Sequence, residues 1–351
     1  MRSADERRTS KWRLGHVLDF FARTDPDSTA LIVGAQRRRI TYAELLGLVV
    51  DHCAVLKSRG LRAGDVVALQ ASNSIGFVVA LLGAARAGVV VAPLDPALPL
   101  AERGVRANRM GARAILTDTE QPNEGAPFTD CPEWQLKTTE LNAKPVVGLA
   151  AAEPARVIAS PAPGLGDHDG LLMFTSGSTG TPKMLAWTHA NLAATIAGVA
   201  AAYHLSDCDG TVAAMPLFHG HGLVATLLAT LATGGAVALP ARGRFSAHTF
   251  WDDMLEVNAT WYTAVPTIHQ ILLDRAANDF PADYHGRLRF IRSCSAPLPR
   301  ATVQRMEATF GAPVLAAYGM TETTHQASTV LPGADRRTRL HTVGAVLRRN
   351  K

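Results

Sequence analysis

The sequence predicts an α/β protein with two helix-covered, mostly parallel β-sheet subdomains packed together. Helical and strand patterns alternate along both halves of the chain, and such alternation is typical of parallel sheets covered by helices. The 351 residues exceed one minimal core, and 47% hydrophobic with 19% charged residues is a globular composition. We expect a polar tail over residues 1–13, a first subdomain over 14–165, a second over 166–344 and a tail over 345–351.

The first subdomain is predicted from a series of patterns that ends in a loop-rich region. The first elements are a helix from Leu14, a strand over 30–33 and a basic turn over 36–39. A helix follows from the N-cap Thr41, with Glu44 completing a capping box, and ends at Gly60. The remaining elements are a strand over 66–70, a helix capped by Asn73 or Ser74, a strand over 89–92, a helical segment over 107–111 and a strand over 114–117. Residues 119–168 show little periodicity, so we expect a loop-heavy connection there and a boundary near residue 165.

The second subdomain repeats the alternating plan. Its elements are a helix over 188–205, a strand over 211–215, a helix over 222–231, strands over 236–239, 260–264 and 288–293, helices over 266–277 and 300–310, and a strand over 314–317.

Composition and charge exclude several classes of function. The net charge of +5 is dispersed and aromatic residues make up 6%, so no basic, aromatic-rich surface indicates nucleic acid as a partner. The longest apolar region, 77–94, is broken by Arg86, Gly88 and Pro93, which excludes an integral membrane segment there. The N-terminus lacks the apolar core of a signal peptide, and the cysteines lack a C-x-x-C spacing, so we expect reduced thiols in a cytoplasmic protein. The cysteines are Cys53, Cys131, Cys208 and Cys294.

A loop of glycines and hydroxyl residues follows the apolar run 171–174. Gly177 and Gly180 lack the β-carbons that would keep backbone N–H groups away from phosphate oxygens. Lys183 adds a mobile positive charge. The loop hydroxyls belong to Thr175, Ser176, Ser178, Thr179 and Thr181. The spacing excludes G-x-x-x-x-G-K-[ST] and G-x-G-x-x-G. The loop is therefore either a polyphosphate-binding loop of another type or a flexible solvated turn.

Two histidines lie two residues apart in the segment MPLFHGHG, which follows a predicted strand. In extended backbone, His219 and His221 would point the same way, so that both imidazoles could converge on one anion. A metal site would need a third ligand, which the neighbouring sequence does not supply. Histidines bonded to the local backbone are the alternative.

Two later strands end in polar segments, FIRSCSAPLP (290–299) and AAYGMTET (316–323). Small residues such as Ser295 leave room for a planar base, whereas Arg292, a charge within a strand, is typical of a structural pair. Tyr318, Thr321 and Glu322 supply an aromatic ring, a hydroxyl and a hard oxygen ligand, which suit a base, a phosphate and magnesium. For this segment taken alone, a polar turn is the alternative.

The loop TSGSTGTPK and the segment AAYGMTET, in this order, resemble the adenylate-forming (AMP-binding) superfamily of acyl-CoA synthetases, luciferases and peptide-synthetase adenylation domains. The resemblance implies that Tyr318 stacks on adenine, Thr321 bonds the α-phosphate and Glu322 holds Mg²⁺. The implied site residues are Thr321, Glu322 and His219 for catalysis; Thr175, Ser176, Gly177, Ser178, Thr179, Gly180 and Lys183 for the ATP phosphates; Ser295, Ala296, Pro297, Ala317 and Tyr318 for adenine; and His219, His221, Ser295, Gly319, Met320 and His325 for the acyl substrate.

The same resemblance implies ATP-dependent activation of a carboxylate to an acyl-adenylate, with pyrophosphate release, and then thioester formation with coenzyme A. Residues 215–323 are most similar to the oxalate-CoA ligase branch. Oxalate keeps a second negative charge after adenylation, so its pocket should be rich in donors such as His221 and His325. We therefore expect oxalate or another small carboxylic acid. The alternatives are a fatty acid-CoA ligase, an adenylation domain that loads a carrier protein, and a nucleotide-binding protein without catalysis.

The C-terminal residues depart from the family pattern. After Gly344 the chain ends in AVLRRNK, where the family continues through a small β-barrel, a T-G-D segment that binds ribose, a hinge and a mobile C-terminal domain with the adenylation lysine. We therefore expect the large N-terminal domain only, in a truncated form that binds nucleotide weakly and turns over poorly.

Overall fold

A computed structural model describes residues 12–118, 131–141, 144–150, 155, 165–166, 168–175 and 182–346. The contacts between Cα atoms divide the chain into two units. Unit 1 comprises Met1–Pro26 and Ala43–Ala193, and unit 2 comprises Asp27–Tyr42 and Ala194–Lys351. This division differs from the predicted boundary near residue 165. The strands on either side of the hydroxyl-rich loop hydrogen-bond into the sheet of unit 1, and residues 27–42 pair with a sheet of unit 2.

The strands and helices follow in chain order. The strands are β1 (Thr29–Val33), β2 (Arg38–Thr41), β3 (Val66–Gln70), β4 (Val90–Leu94), β5 (Ala112–Thr117), β6 (Glu133–Leu141), β7 (Lys144–Ala150), β8 (Asp169–Thr175), β9 (Lys183–Thr188), β10 (Gly210–Val212), β11 (Ala236–Ala238), β12 (Trp261–Ala264), β13 (Phe290–Ser293), β14 (Val314–Tyr318), β15 (Ser328–Thr329) and β16 (Ala345–Val346). The α-helices are α1 (Asp19–Thr24), α2 (Tyr42–Ser58), α3 (Ile75–Arg86), α4 (Leu100–Arg109), α5 (His189–Tyr203), α6 (Ala229–Ala232), α7 (Phe250–Glu256), α8 (Pro266–Asp279), α9 (Arg300–Phe310) and α10 (Arg336–His341). Short 3₁₀ helices span Leu14–His16, Ala282–Tyr284 and Thr321–Thr323, and a π-helix spans His221–Leu228.

Unit 1 contains a seven-stranded sheet in the order β7-β6-β5-β3-β4-β8-β9. The inner pairs are parallel, and the pairs β6/β7 and β8/β9 at the two edges are antiparallel. The runs VVALQ and VVAPL form β3 and β4, which are buried along their whole length. Such continuous apolar runs are typical of central parallel strands that are covered on both faces. Ser74 caps α3 and accepts a hydrogen bond from the Phe77 N–H over 3.2 Å, as predicted.

Unit 2 contains a four-stranded sheet in the order β10-β11-β1-β2 and a five-stranded sheet in the order β12-β13-β14-β15-β16. Strands β12, β13 and β14 are parallel, so their carboxyl ends lie at the same edge. The core beside them contains an aromatic cluster in which the Trp251 ring lies 4.7 Å from Phe280 and 5.3 Å from Phe310. The α/β fold class with mostly parallel sheets is confirmed.

Two strands lie where the sequence predicted a loop-heavy connection. Strands β6 and β7 form an antiparallel hairpin at one edge of the unit 1 sheet. Only Trp134 and Leu136 alternate inward at the start of β6, and the rest of its described side chains are mostly exposed. Two alternating apolar residues are too few to distinguish this strand from a polar loop in the sequence.

Among the described residues, no helix is long and apolar enough to cross a membrane. All four cysteines are free thiols.

Candidate active site

The parallel pairing of β13 and β14 brings two polar segments to one edge of the unit 2 sheet. Ser293, the last residue of β13, lies opposite Ala316, and β14 continues from there to Tyr318. A pocket of about 690 Å³ lies there. Its lining includes all five residues predicted to bind adenine, Ser295, Ala296, Pro297, Ala317 and Tyr318, together with Gly319. We call this the base pocket. A second wall, formed by residues 339–343, was not predicted, because nothing in that segment carries a recognisable motif.

Backbone strain is concentrated beside the base pocket. Ser295, Thr324 and His325 have φ angles of 74°, 53° and 83°, in the left-handed region that side chains other than glycine rarely adopt. Such conformations cost on the order of 1–3 kcal/mol each and persist where the surrounding contacts impose them, often at functional sites. Gly319 satisfies a different constraint. A β-carbon there would lie 1.4 Å from the backbone oxygen of His325, so only glycine allows the two segments to approach this closely.

The two histidines of the MPLFHGHG segment do not converge, and the prediction of extended backbone is wrong. Strand β10 ends at Val212, and Gly220 is already helical with φ −53° and ψ −30°. His221 is the first residue of the π-helix and is buried, whereas His219 is exposed and its ring lies 4.4 Å from Phe218. The segment therefore leaves one imidazole exposed and buries the other. π-Helical turns are rare and occur frequently at functional sites.

Three of the predicted acyl-binding residues are brought together: His221, Ser295 and His325. We call them the acid site. His221 Nδ1 lies 3.0 Å from Ser295 Oγ, and the rings of His221 and His325 stack with their centroids 5.5 Å apart. Ser295 is exposed and belongs to both the acid site and the base pocket. The acid site therefore adjoins the base pocket through Ser295.

A buried arginine lies behind the acid site, where the sequence indicated only a structural charge. Arg292 is fully buried and donates to Thr263 Oγ1 over 3.0 Å and to His325 Nε2 over 3.0 Å. It also donates to the Gln326 side-chain oxygen over 2.7 Å and to the Tyr203 hydroxyl over 2.9 Å. Thr263, Gln326 and Tyr203 were not predicted. The only sign of these contacts in the sequence is that an arginine follows two apolar residues in the strand FIRS.

Burial keeps the imidazoles of the acid site neutral. Burial is the main cause that lowers the pKa of His221 and of His325 well below the ordinary value, and the positive charge of Arg292 lowers both further. A neutral imidazole has one donor nitrogen and one acceptor nitrogen. The acid site can therefore offer directed hydrogen bonds without a titrating charge.

The predicted α-phosphate and metal residues lie on the 3₁₀ turn Thr321–Thr323, directly after β14. The Met320 N–H donates to Thr323 Oγ1 over 3.2 Å, and both Met320 and Glu322 are exposed. Within the described residues, no group of three or more His, Cys, Asp or Glu side chains could hold a metal ion. Magnesium commonly takes one or two carboxylates and completes its shell with substrate phosphates and water, and a single exposed Glu322 fits that mode.

The hydroxyl-rich loop lies between two antiparallel strands of unit 1. Thr175 ends β8, Lys183 begins β9, and the two residues are paired across the strands. Lys183 is exposed. The predicted phosphate-binding residues Ser176, Gly177, Ser178, Thr179 and Gly180 lie outside the described residues. Lys183 was predicted as part of the loop and is instead the first residue of a strand.

The fold is that of the large N-terminal domain of adenylate-forming enzymes. Residues 18–351 match the AMP-binding enzyme family, and the chain belongs to that family. The chain is 43% identical over 320 residues to an oxalate-CoA ligase of Arabidopsis thaliana, covering 89% of this chain and 61% of that protein. It is 32% identical over 331 residues to an oxalate-CoA ligase of Saccharomyces cerevisiae, covering 86% and 60%. The chain thus spans about three fifths of the length of these relatives.

A solved structure shows the same fold. Apo MatB from Rhodopseudomonas palustris superposes with a TM-score of 0.78 at 28% identity, covering 95% of this chain and 64% of that one. The two relatives reported above bear the names of CoA ligases.

Proposed function

We propose that the protein is an AMP-forming acid-CoA ligase whose substrate is oxalate or another small carboxylic acid. The observation that carries this proposal is the position of Ser295, which belongs to both the base pocket and the acid site. A small acid bound at the acid site would lie beside a nucleotide whose base occupies the pocket. A fatty acid would need an apolar tunnel, and a buried arginine with two imidazoles does not provide one.

The proposed reaction has two steps. An oxygen of the substrate carboxylate attacks the α-phosphorus of ATP, the bond to the β-phosphate oxygen breaks, and pyrophosphate leaves. The sulfur of coenzyme A then attacks the acyl carbon, its proton passes to solvent, and AMP leaves. No general base is needed in the first step, because the carboxylate is already ionised at neutral pH. The main barrier is the approach of two anions in line.

The residues of this chain would act by binding and orientation. Tyr318 would stack on the base, and Thr321 would donate to the α-phosphate. The sequence that ends at Lys183 carries the hydroxyls and the positive charge that suit phosphate binding. Magnesium, bound by Glu322 and phosphate oxygens, would offset the negative charge of the phosphates.

The free thiols support a reducing compartment such as the cytoplasm.

The substrate is tested by pyrophosphate release from the full-length enzyme with oxalate, malonate, octanoate and benzoate. We expect the highest kcat/KM with oxalate, because the acid site offers hydrogen-bond donors to a second carboxylate. A preference for octanoate would contradict the proposed substrate, and no release with any acid would contradict the enzymatic function. Replacing coenzyme A by a carrier protein as acceptor separates a CoA ligase from a carrier-loading domain.

Glu322→Gln tests the proposed metal residue. The amide keeps the shape of the side chain but loses the charge, so we expect ATP-pyrophosphate exchange to fall by about 100-fold or more, the size of effect seen when one charge-stabilising group is removed. Increasing the magnesium concentration should restore part of the activity. Glu256→Gln, an exchange at another side chain of unit 2, serves as the control. Equal activities of the two variants would exclude Glu322 from the metal site.

A further inference from the structure

Arg292 is a buried positive charge that has no carboxylate partner among the described residues. It is fully buried, and within the part of the chain that the structure describes no Asp or Glu forms an ion pair with it. Its partners are the Tyr203 and Thr263 hydroxyls, the His325 imidazole and the Gln326 amide oxygen. A buried charge is costly unless it is paired or well hydrogen-bonded. None of these four partners is a carboxylate, and the thiol of Cys294 also lies close enough to interact with the guanidinium.

An arginine can only donate hydrogen bonds, so it fixes the direction of every bond around it. Each partner must accept from Arg292 and must place its own proton away from it. The branch through Tyr203 follows this rule. The Tyr203 hydroxyl accepts from Arg292 Nε and contacts Thr329 Oγ1, which in turn lies 3.4 Å from the backbone oxygen of Ala316. This branch ends on backbone acceptors and leads away from the acid site.

The branch through Thr263 leads into the acid site. Thr263 Oγ1 accepts from Arg292 Nη1, and it lies 2.6 Å from His221 Nε2. Among the described residues, no other hydrogen-bond partner of this hydroxyl is present, so its proton goes to His221 Nε2. The proton of the neutral His221 is then on Nδ1 and is donated to Ser295 Oγ over 3.0 Å. The Ser295 hydroxyl proton is left for a ligand.

The third branch reaches His325 directly. Arg292 Nη2 lies 3.0 Å from His325 Nε2, which must therefore be the acceptor nitrogen. The proton of the neutral His325 is then on Nδ1. Two branches from one arginine thus fix both protons: the Ser295 hydroxyl proton is left for a ligand, and the His325 proton is on Nδ1.

We propose that Arg292 is a positioning residue that orients the protons of the acid site, so that the site accepts an acid whose far end is an anion and rejects one whose far end carries a hydrogen-bond donor. This inference rests on the proposed function, since it concerns the acid that the ligase activates. The inference defines the class of substrate by the charge on the end of the acid that is not adenylated. The guanidinium acts through Thr263 and the two imidazoles.

The kinetic test compares oxalate with oxamate in the full-length enzyme. Oxamate has nearly the size of oxalate and carries an amide with two N–H donors in place of the second carboxylate. We expect Thr263→Val, which breaks the branch to His221, to lower the ratio of kcat/KM for oxalate to that for oxamate by about 10- to 100-fold. Thr263→Ser keeps the hydroxyl and should change the ratio by less than about threefold.

Tyr203→Phe is the matched control. It also removes one hydroxyl that contacts Arg292, but on the branch that ends at Thr329 and the backbone, so the ratio should stay within about threefold of the wild type. A Thr263→Val variant that loses activity equally with both acids, or a Tyr203→Phe variant that changes the ratio as much as Thr263→Val, would overturn the inference. Circular dichroism spectra of all three variants establish that each is folded.

A second measurement does not depend on the substrate. In the chain labelled with ¹⁵N-histidine, long-range ¹H–¹⁵N spectra distinguish the two imidazole tautomers. We expect the proton on Nδ1 in both His221 and His325, and we expect Thr263→Val to alter the signal of His221 alone. A proton on Nε2 of either residue in the wild type would overturn the inference. Failure of the wild type to use oxalate, with both tautomers as expected, would contradict the proposed substrate and not the orientation of the donors.

Discussion

Replacing Gly319 with alanine is expected to destabilise unit 2 and to abolish most of the activity. The added β-carbon would lie 1.4 Å from the His325 backbone oxygen and 2.5 Å from its carbonyl carbon, and both are main-chain atoms that cannot rotate away. The two segments must separate, which we expect to cost about 2–4 kcal/mol of the free energy of unfolding. Gly319 lines the base pocket and His325 belongs to the acid site, so a displacement of about 1 Å should lower ATP-pyrophosphate exchange by roughly 100-fold.

The control for this prediction is Gly333→Ala. Gly333 is also in unit 2, and a β-carbon there would meet no heavy atom within 4 Å. We expect its free energy of unfolding, measured by urea denaturation, to stay within about 0.5 kcal/mol of the wild type. If Gly319→Ala were as stable and as active as Gly333→Ala, the close approach of residues 319 and 325 would not be a requirement of the fold.

Acidification is expected to destabilise the protein, largely through buried histidines. Burial lowers the pKa of His269 from 6.5 to about 4. Between these two values the unfolded chain binds a proton that the native state does not bind, so the stability is complete above pH 6.5 and falls as the pH falls towards 4. At pH 5 this one residue should lower the free energy of unfolding by about 2 kcal/mol. His52 in unit 1 has a pKa lowered to about 4 for the same reason.

The pH effect is assigned to His269 by substitution. We expect His269→Gln to show a smaller difference in the free energy of unfolding between pH 7.5 and pH 5 than the wild type, by about 2 kcal/mol, because glutamine does not titrate. His248→Gln, at an exposed histidine of the same unit, should keep the full difference. Parallel pH profiles of the wild type and His269→Gln would show that His269 is not protonated on unfolding in this range.

The sequence predicts those strands and helices that are marked by a local pattern of residues. The apolar runs of β3 and β4 and the Ser74 cap are patterns of this kind. Strands β6 and β7 carry no such pattern, because an edge strand buries few of its side chains and its polar residues resemble those of a loop. The conformation of the segment 219–221 could not be predicted either, since the π-helix that begins at His221 has no local sequence signature.

The same distinction applies to the candidate site. Base-pocket residues such as Tyr318 lie in motifs that can be recognised one segment at a time, and the pocket contains all five of them. The role inferred for Arg292 depends on Thr263, Tyr203 and Gln326, which belong to three other segments of the chain. A charged residue within a strand predicts that polar side chains contact it. It does not predict which acceptors these partners supply, and the orientation of the donors follows from those acceptors.

The hairpin of β1 and β2 has a consequence for synthesis on the ribosome. Its residues Leu31 and Ile32 are buried, and they pair with Val237 and Ala238 of β11. The hairpin leaves the ribosome long before its partner strand, a delay of roughly 10–40 s at ~5–20 residues per second. During this interval an apolar strand edge lacks its native neighbour, and such edges are prone to aggregate. The nascent chain is therefore expected to depend on chaperones most strongly before residue 238 emerges.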